Sequence, residues 1–399
     1  MSSSTLDLSQ DKALLWLMAI ACGLCAGANY YCQPIVSSIQ QYFSVSEAQA
    51  AFTVTCAQVA YALGLFLIVP LGDLLNKKRF IPVLMLGAAG GMLLCVFAWN
   101  IQVLWIGTIL TGLFSVAAQV LIPMATMASP TEKTGMVVGF LMSGLLVGIL
   151  LSTSLSGLLS YLIHWKAIYA VSAVLLIFLA LRLWQRLPYL MRLNIGLGQI
   201  YHSMLRLIQD EPRLSIRALS GAFAFGSMST LFSTIAVYLS SDQFGMSDFS
   251  IGLVSLVGIF GALSTSYIGR WADQGHGVVL SWIGAVVLIS SWSLFYLSSE
   301  NVIYYIVGFG VLNCGLAIIH SCNQNIIFRL RPDAKSRLNA IYMTLYFVGA
   351  AGGSALGIYA WHHGGWWMTC LAGLSLAVLA GLMVSLDVMY DRLKATRKL

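Results

Sequence analysis

Charge is what this chain has least of. Asp, Glu, Lys and Arg supply 9% of its 399 residues, against about 25% in a soluble domain, which excludes an ordinary water-soluble fold. Only 14 residues are acidic, and each lies in a loop or near the end of an apolar run, so no carboxylate is expected at membrane depth, where transporters commonly carry protons. The Gly-x-x-x-x-Gly-Lys loop that cradles phosphates is missing, which removes an ATP-driven pump. Eight cysteines all fall inside apolar runs and offer no disulfide framework. Cys22 and Cys25 form a C-x-x-C, but no second pair or nearby His completes a zinc site; they read as small packing residues. No metal and no cofactor is expected. Met1 to Lys12 is polar, lacks a basic region and carries Asp7 and Asp11, so the first apolar run reads as a retained helix rather than a cleaved signal.

What is present is apolar length, with 59% hydrophobic residues. Crossing about 30 Å of hydrocarbon takes about 20 helical residues, and twelve segments qualify: Ala13 to Val36, Gln49 to Leu71, Phe80 to Ala98, Gln102 to Met127, Gly135 to Ser160, His164 to Leu183, Leu214 to Ser240, Phe249 to Ile268, Val279 to Ser298, Val302 to Phe328, Leu338 to Trp361 and Gly365 to Met389. The fold class is therefore all-α membrane protein. A formal charge of +7 does not signal nucleic acid, because the basic residues sit in short clusters at the ends of apolar runs and not in a patch interleaved with stacking aromatics. They report topology instead, since Lys and Arg stay in cytoplasmic loops. With the amino terminus inside, 20 of the 21 fall on the cytoplasmic side and only Lys166 falls outside. Both termini are expected to be cytoplasmic.

The chain also repeats. Asp73 opens a tight turn followed by Lys77, Lys78 and Arg79, and Asp273 opens a similar turn two hundred residues on. Pro130-Thr-Glu-Lys133 and Pro332-Asp-Ala-Lys335 recur at an offset of 202. The expected organisation is two six-helix pseudo-repeats, 1–183 and 214–399, joined by a cytoplasmic linker, 184–213. In that linker Leu197, Ile200, Tyr201, Met204 and Ile208 alternate with Gln199, His202, Arg206 and Gln209 at helical spacing, which predicts an amphipathic helix on the membrane surface.

These motifs reach a family. Leu71, Asp73, Lys77, Lys78 and Arg79 stand where the major facilitator superfamily carries its signature after the second helix, with Val69 and Asn76 in place of two glycines; Asn76 is expected to keep the turn because Asn tolerates left-handed backbone. The chain resembles that superfamily over essentially its whole length. Asn29-Tyr-Tyr-Cys-Gln-Pro34, His320-Ser-Cys-Asn-Gln324 and Ser336-Arg-Leu-Asn-Ala-Ile-Tyr-Met-Thr344 resemble its bacterial drug:proton antiporter-like branch. Two positions depart: Thr108 precedes Gly112 where antiporters carry Arg, and the fifth-helix signature is reduced to Gly144, Gly148, Ser152 and Ser156, without its Pro. Such a small-residue stripe keeps a packing role. The resemblance implies a multi-pass, monomeric protein of the bacterial cytoplasmic (inner) membrane, with helices one, four, seven and ten lining a cavity. It also implies a cytoplasmic gate involving Asp73, Lys77, Lys78, Arg79, Asp273 and Arg337.

Polar side chains within the runs fall in stripes, and facing lipid they would leave amides unsatisfied. Asn29 and Gln33 share a face of the first helix, Thr108, Ser115 and Gln119 of the fourth, Ser227, Thr230, Thr234 and Tyr238 of the seventh, Asn313, His320 and Gln324 of the tenth, and Asn339, Tyr342 and Tyr346 of the eleventh. The candidate substrate-binding residues are Asn29, Tyr30, Gln33, Gln119, Thr230, Thr234, Asn313, His320, Gln324, Tyr342 and Tyr346. Bonding between helices is the alternative role for the hydroxyls, and packing for the tyrosines. His320 is the candidate for proton coupling, with Asn313 and Gln324 placed to orient it; a neutral histidine in a packed interior is the other reading.

The function expected is secondary active transport of a small organic molecule by alternating access, efflux by resemblance, with import or facilitated diffusion without proton coupling as the alternative. The bilayer and a small-molecule substrate are the expected partners, with protons as the candidate coupling ion and no nucleic acid. An intramembrane enzyme would need a nucleophile paired with a base at depth; His320 is the only such base, and Ser321 points to another helix face. A non-transporting receptor is the remaining rival class. In a background freed of native cysteines, a cysteine placed between Ser37 and Glu47 should label from outside, and a reporter after Leu399 should be cytoplasmic; labelling only from the cytoplasm would reject the orientation.

Overall fold

The computed structural model describes residues 8–129, 134–189, 196–258, 276–331 and 334–396. It is all-helical there. Lys12–Gly27 (α1) continues through two 3-10 turns into Val36–Phe43 (α2), followed by Glu47–Leu67 (α3), the single turn Leu71–Leu74 (α4), Lys77–Val96 (α5), Ile101–Phe114 (α6), Ala117–Met127 (α7), Thr134–Leu162 (α8) and Ala167–Arg186 (α9). Leu197–Asp210 (α10) connects to Pro212–Phe232 (α11), Ile235–Ser240 (α12), Asp248–Leu256 (α13), Gly277–Leu297 (α14), Val302–Leu330 (α15) and Lys335–Thr396 (α16). Ten stretches among the described residues are long and apolar enough to cross a membrane. One of them must be two crossings. At 1.5 Å per residue, the 62 residues of α16 would span about 90 Å, three bilayer cores. The helix breaks at Gly364 and Gly365, and Gly365 has φ 59° and ψ −147°, a conformation open essentially to glycine alone. The second half of the eighth expected run, 259–268, lies outside the described residues, as do the Pro130 to Lys133 turn and Asp273.

Local chemistry sets the ends of these helices. Asp11 accepts from the Leu14 amide at 2.9 Å, and Asn100 accepts from Val103 at 2.9 Å. Ser46 and Gln49 cap α3 reciprocally, satisfying two of the amide donors a helix start leaves open. Asn76 corrects the expectation from sequence. Its backbone is extended, φ −67°, and its side chain caps α5 by accepting from Lys78, so it keeps the turn as an N-cap and not through left-handed backbone.

Small residues set how closely the helices pack. A Cβ on Gly148 of α8 would lie 2.2 Å from the Gly23 Cα of α1, and one on Gly144 or Gly27 would lie 2.7 or 2.8 Å from its nearest neighbour across the same seam. Ser156 continues this seam by donating to the Tyr31 carbonyl at 2.6 Å. The later helices repeat the device: a Cβ on Gly349 or Gly353 of α16 would lie 2.1 Å from the Ala222 carbonyl oxygen or 2.0 Å from that of Gly226 on α11. Gly349 stands 201 residues after Gly148, so the half-length repeat extends to a packing seam that the turns alone did not reveal.

Helix α10 forms as expected, but its apolar side faces protein. Ile200, Met204 and Leu207 are buried, and the Tyr201 hydroxyl donates to the Leu67 carbonyl at the end of α3 at 3.1 Å. The connection therefore acts as a bracket on the bundle and is not merely laid on the membrane surface; among the described side chains of that helix, Leu205 and Ile208 are the exposed large apolar ones. The seams give a direct test. Gly148→Val should lower the melting temperature in detergent by the equivalent of about 1–3 kcal/mol of overpacking, while Gly90→Ala, where an added Cβ meets nothing within 4 Å, should leave it unchanged or raise it.

Candidate functional site

A cavity of about 530 Å³ lies between the helices before α10 and those after it. Along α15 its lining runs from Phe309 to Phe328, so it reaches within two residues of the Leu330 end and stops about two turns short of the Val302 end. At that second end the two groups of helices are joined. Ser37 meets Ser240 at 2.8 Å, the Asp248 carboxylate accepts from Ser38 and from Ser160, Ser154 donates to the Gly252 carbonyl at 3.0 Å, and Trp361 donates to Glu47 at 2.8 Å. Gln58 and Thr55 extend the contact inward, bonding Ser229 at 3.0 Å and Ser354 at 2.7 Å. The cavity is thus closed at one end and extends toward the end that carries Lys77 to Arg79 and Arg329.

Seven of the eleven expected substrate-binding residues line it: Asn29, Tyr30, Gln119, Asn313, His320, Gln324 and Tyr346. Around them stand Phe225, Phe232, Phe309, Phe328, Phe347 and several Met and Leu residues, and no Asp, Glu, Lys or Arg among the described residues. Its aromatic walls interlock. Phe225 stacks on Tyr346 at 4.2 Å, and Tyr61 meets Phe347 at 4.4 Å across the two groups of helices. Tyr61 was not singled out from sequence, where no polar stripe was assigned to its helix; its hydroxyl takes a long hydrogen bond from the Gln119 amide, 3.5 Å. Asn339, identified as part of a stripe, lines the cavity too and accepts from Gln324 at 3.4 Å.

Four expected residues lie elsewhere. Gln33 is buried, with neither its amide nitrogen nor its oxygen partnered among the described residues. Thr230 donates within the seam to the carbonyls of Gly226 and Gly353, both at 3.0 Å, and Thr234 turns back to Thr230 and Leu231 of its own chain segment. Tyr342 is fully buried behind His320, its hydroxyl 3.0 Å from the ring Nδ1. The rest of the α11 stripe is likewise used in packing: Ser227 accepts from Trp292 and donates to Gly373, both at 2.8 Å, and Tyr238 meets Ser298. Of the gate residues, Lys77 is buried at the start of α5, Arg79 is exposed, and Lys78 and Arg337 are half-buried. The Asp73 side chain lies outside the described residues.

The expectation of no buried carboxylate is corrected by Asp387. It sits near a helix end in sequence yet is fully buried, as is Arg217. Arg213 donates to both oxygens of Asp387 at 2.9 and 3.1 Å and to Asp391 at 2.7 Å. Arg217 donates to Asp387, to the Ser281 hydroxyl at 2.8 Å and to the Asn323 carbonyl oxygen at 3.2 Å. None of these groups lines the cavity. All eight cysteines are free thiols.

A helical membrane bundle enclosing a central cavity that is sealed at one end has the architecture of a secondary transporter. The chain belongs to the Major Facilitator Superfamily, whose profile matches residues 18–354. It is 42% identical over 371 residues to the putative uncharacterized transporter YgaY of Escherichia coli (strain K12), covering 92% of this chain and 94% of that protein. It is 25% identical to a probable transporter of Streptomyces coelicolor, covering 92% and 86%, and 24% identical to a probable sugar efflux transporter of Pasteurella multocida, covering 89% and 87%. In fold it is similar to a bacterial homolog of the human lysosomal transporter Spinster, solved in an inward-facing and occupied conformation, with a TM-score of 0.73, 13% identity and coverage of 96% and 97%. The chain is a multi-pass membrane transporter and not an enzyme.

The buried ion pair gives a test of its own. Asp387→Leu strands the Arg217 guanidinium without its counter-charge, so thermal unfolding in detergent should show a loss of about 3–5 kcal/mol. Asp391→Asn, at a half-exposed site, should cost less than about 1 kcal/mol.

Proposed function

We propose that this protein is a secondary active transporter of the drug:proton antiporter-like branch, exporting a small neutral or amphipathic organic molecule across the bacterial inner membrane. The observation that carries the reading is the central cavity, whose polar groups are amides, phenols and one imidazole set among aromatic and aliphatic side chains. A strongly charged solute would shed its hydration there without finding a counter-charge. Under this reading the halves 1–183 and 214–399 rock about the cavity, the linker 184–213 stays cytoplasmic with both termini, and Asp73 and the neighbouring basic residues, with Asp273 and Arg337, gate the cytoplasmic end. Protein in this role works as a monomer.

Energy coupling has two readings within the class. His320 is the one side chain lining the cavity, among those described, whose ordinary pKa lies near neutrality, which makes it the candidate proton site. Facilitated movement in either direction is favoured by the lack of an acidic side chain among the described lining residues. Proteoliposomes separate them. Counterflow of neutral organic solutes should be measurable in the wild type, and an imposed pH gradient should drive accumulation that His320→Gln abolishes while exchange persists. Accumulation surviving in His320→Gln removes His320 as the coupling site, and absence of counterflow across a broad solute panel removes the transport reading of the cavity.

A further inference from the structure

We propose that His320 is a fixed hydrogen-bond donor to the solute, held as its Nε2–H tautomer by the buried hydroxyl of Tyr342. The proposal rests on the cavity being the solute site. On the same helix as His320, Asn323 is committed to Arg217. A guanidinium can only donate, so its bond to the Asn323 side chain must end on the carbonyl oxygen, Oδ1, at 3.2 Å. That turns the Asn323 Nδ2 the other way, where it donates to the Arg217 main-chain carbonyl at 3.1 Å. Both bonds are lost if the amide is flipped, so the orientation is settled by the network.

The Tyr342 hydroxyl is fully buried, and its one hydrogen-bond partner among the described residues is Nδ1 of His320, at 3.0 Å. A buried hydroxyl with a single partner satisfies its proton only by donating to that partner. An Nδ1 that accepts is unprotonated, and a neutral imidazole in that state carries its proton on Nε2. Arg217, Asn323 and Tyr342 are all fully buried, so no water competes for these links. His320 lines the cavity, with its ring 4.9 Å from that of Tyr346. Asn313, expected to orient the ring, instead donates to the Phe309 carbonyl at 2.8 Å.

The consequence is specificity. A solute offering an acceptor oxygen to this wall gains a bond to a donor that has no alternative orientation, and its analogue without the oxygen should bind about tenfold more weakly. His320 then selects the solute.

The tautomer can be read directly. Full-length protein labelled with 15N-histidine in nanodiscs should give a His320 signal, identified by its loss in His320→Gln, with the pattern of a protonated Nε2 and an accepting Nδ1. Tyr342→Phe, which keeps the ring packing but removes the hydroxyl, should release it to a mixture of tautomers. A protonated Nδ1 in the wild type, or an unchanged pattern in Tyr342→Phe, overturns the assignment; if that variant does not fold, the wild-type spectrum decides. Acetophenone should move the Nε2 resonance, while α-methylstyrene, of the same shape without an acceptor oxygen, should not. Equal movement, or none with either, overturns the selection. These spectra need no transport, so failure of the transport reading would be seen separately in counterflow.

Discussion

Hydrocarbon offers no hydrogen bonds, and most of this structure follows from that one restriction. Backbone groups are satisfied within helices because nothing else at that depth can satisfy them. Side-chain hydroxyls obey the same rule: those of Ser152, Thr153, Thr230, Thr234, Ser281 and Ser291 donate to carbonyls of their own helix or its neighbour. With lipid as apolar as the side chains it touches, burial of Leu against Leu does not draw helices together, and close approach through small residues takes its place. Both glycine seams, α1 on α8 and α11 on α16, solve that same problem at equivalent places in the repeat.

The two groups of helices treat polarity differently. In the earlier helices, the buried Gln33 and the Oδ1 of Asn29 have no partner among the described residues. In the later helices a network of ion pairs is buried, and there it is almost fully satisfied. Two arginines and two aspartates share one network that also holds Ser281 and Asn323. Such a cluster adds little net stability over an apolar core, because desolvation consumes most of the Coulomb gain. What it adds is direction, since an unsatisfied charge at that depth would be far costlier than any rearrangement of the groups around it. The amide of Asn323 inherits that direction.

Apolar runs and stripes were legible in the sequence because they are periodic, and hydrocarbon length and lipid exclusion act on periodicity alone. Asn29, Gln119, Asn313, His320 and Gln324 reached the cavity by this logic. It failed where one helix face serves two purposes. Thr230 and Thr234 share one expected polar face, yet Thr230 meets α16 across a glycine seam too narrow for a cavity and Thr234 turns back to the end of α11, and pattern cannot distinguish a seam from a pore. Asp387 was placed by its distance from a helix end, but burial there depends on which helices surround it. Arg213 and Arg217 lie more than 160 residues away, and only the folded chain brings them alongside. Tyr61 and the capping role of Asn76 depend on single neighbours and have no periodic trace.

The contacts that close one end of the cavity bear on how such a molecule would alternate. They are serine hydroxyls, an indole, an amide, and carboxylates that accept from neutral donors; no ion pair joins the two groups of helices among the described residues at that end. Hydrogen bonds of this kind average roughly 0.6 kcal/mol within membranes, so half a dozen amount to a few kcal/mol. A difference of that size can be overturned by the binding energy of one small solute. A buried ion pair across the same joint would not be, since separating it exposes two charges in a poorly hydrated cleft. Confining the strong network to one side of the cavity and leaving neutral bonds at the joint makes the joint reversible.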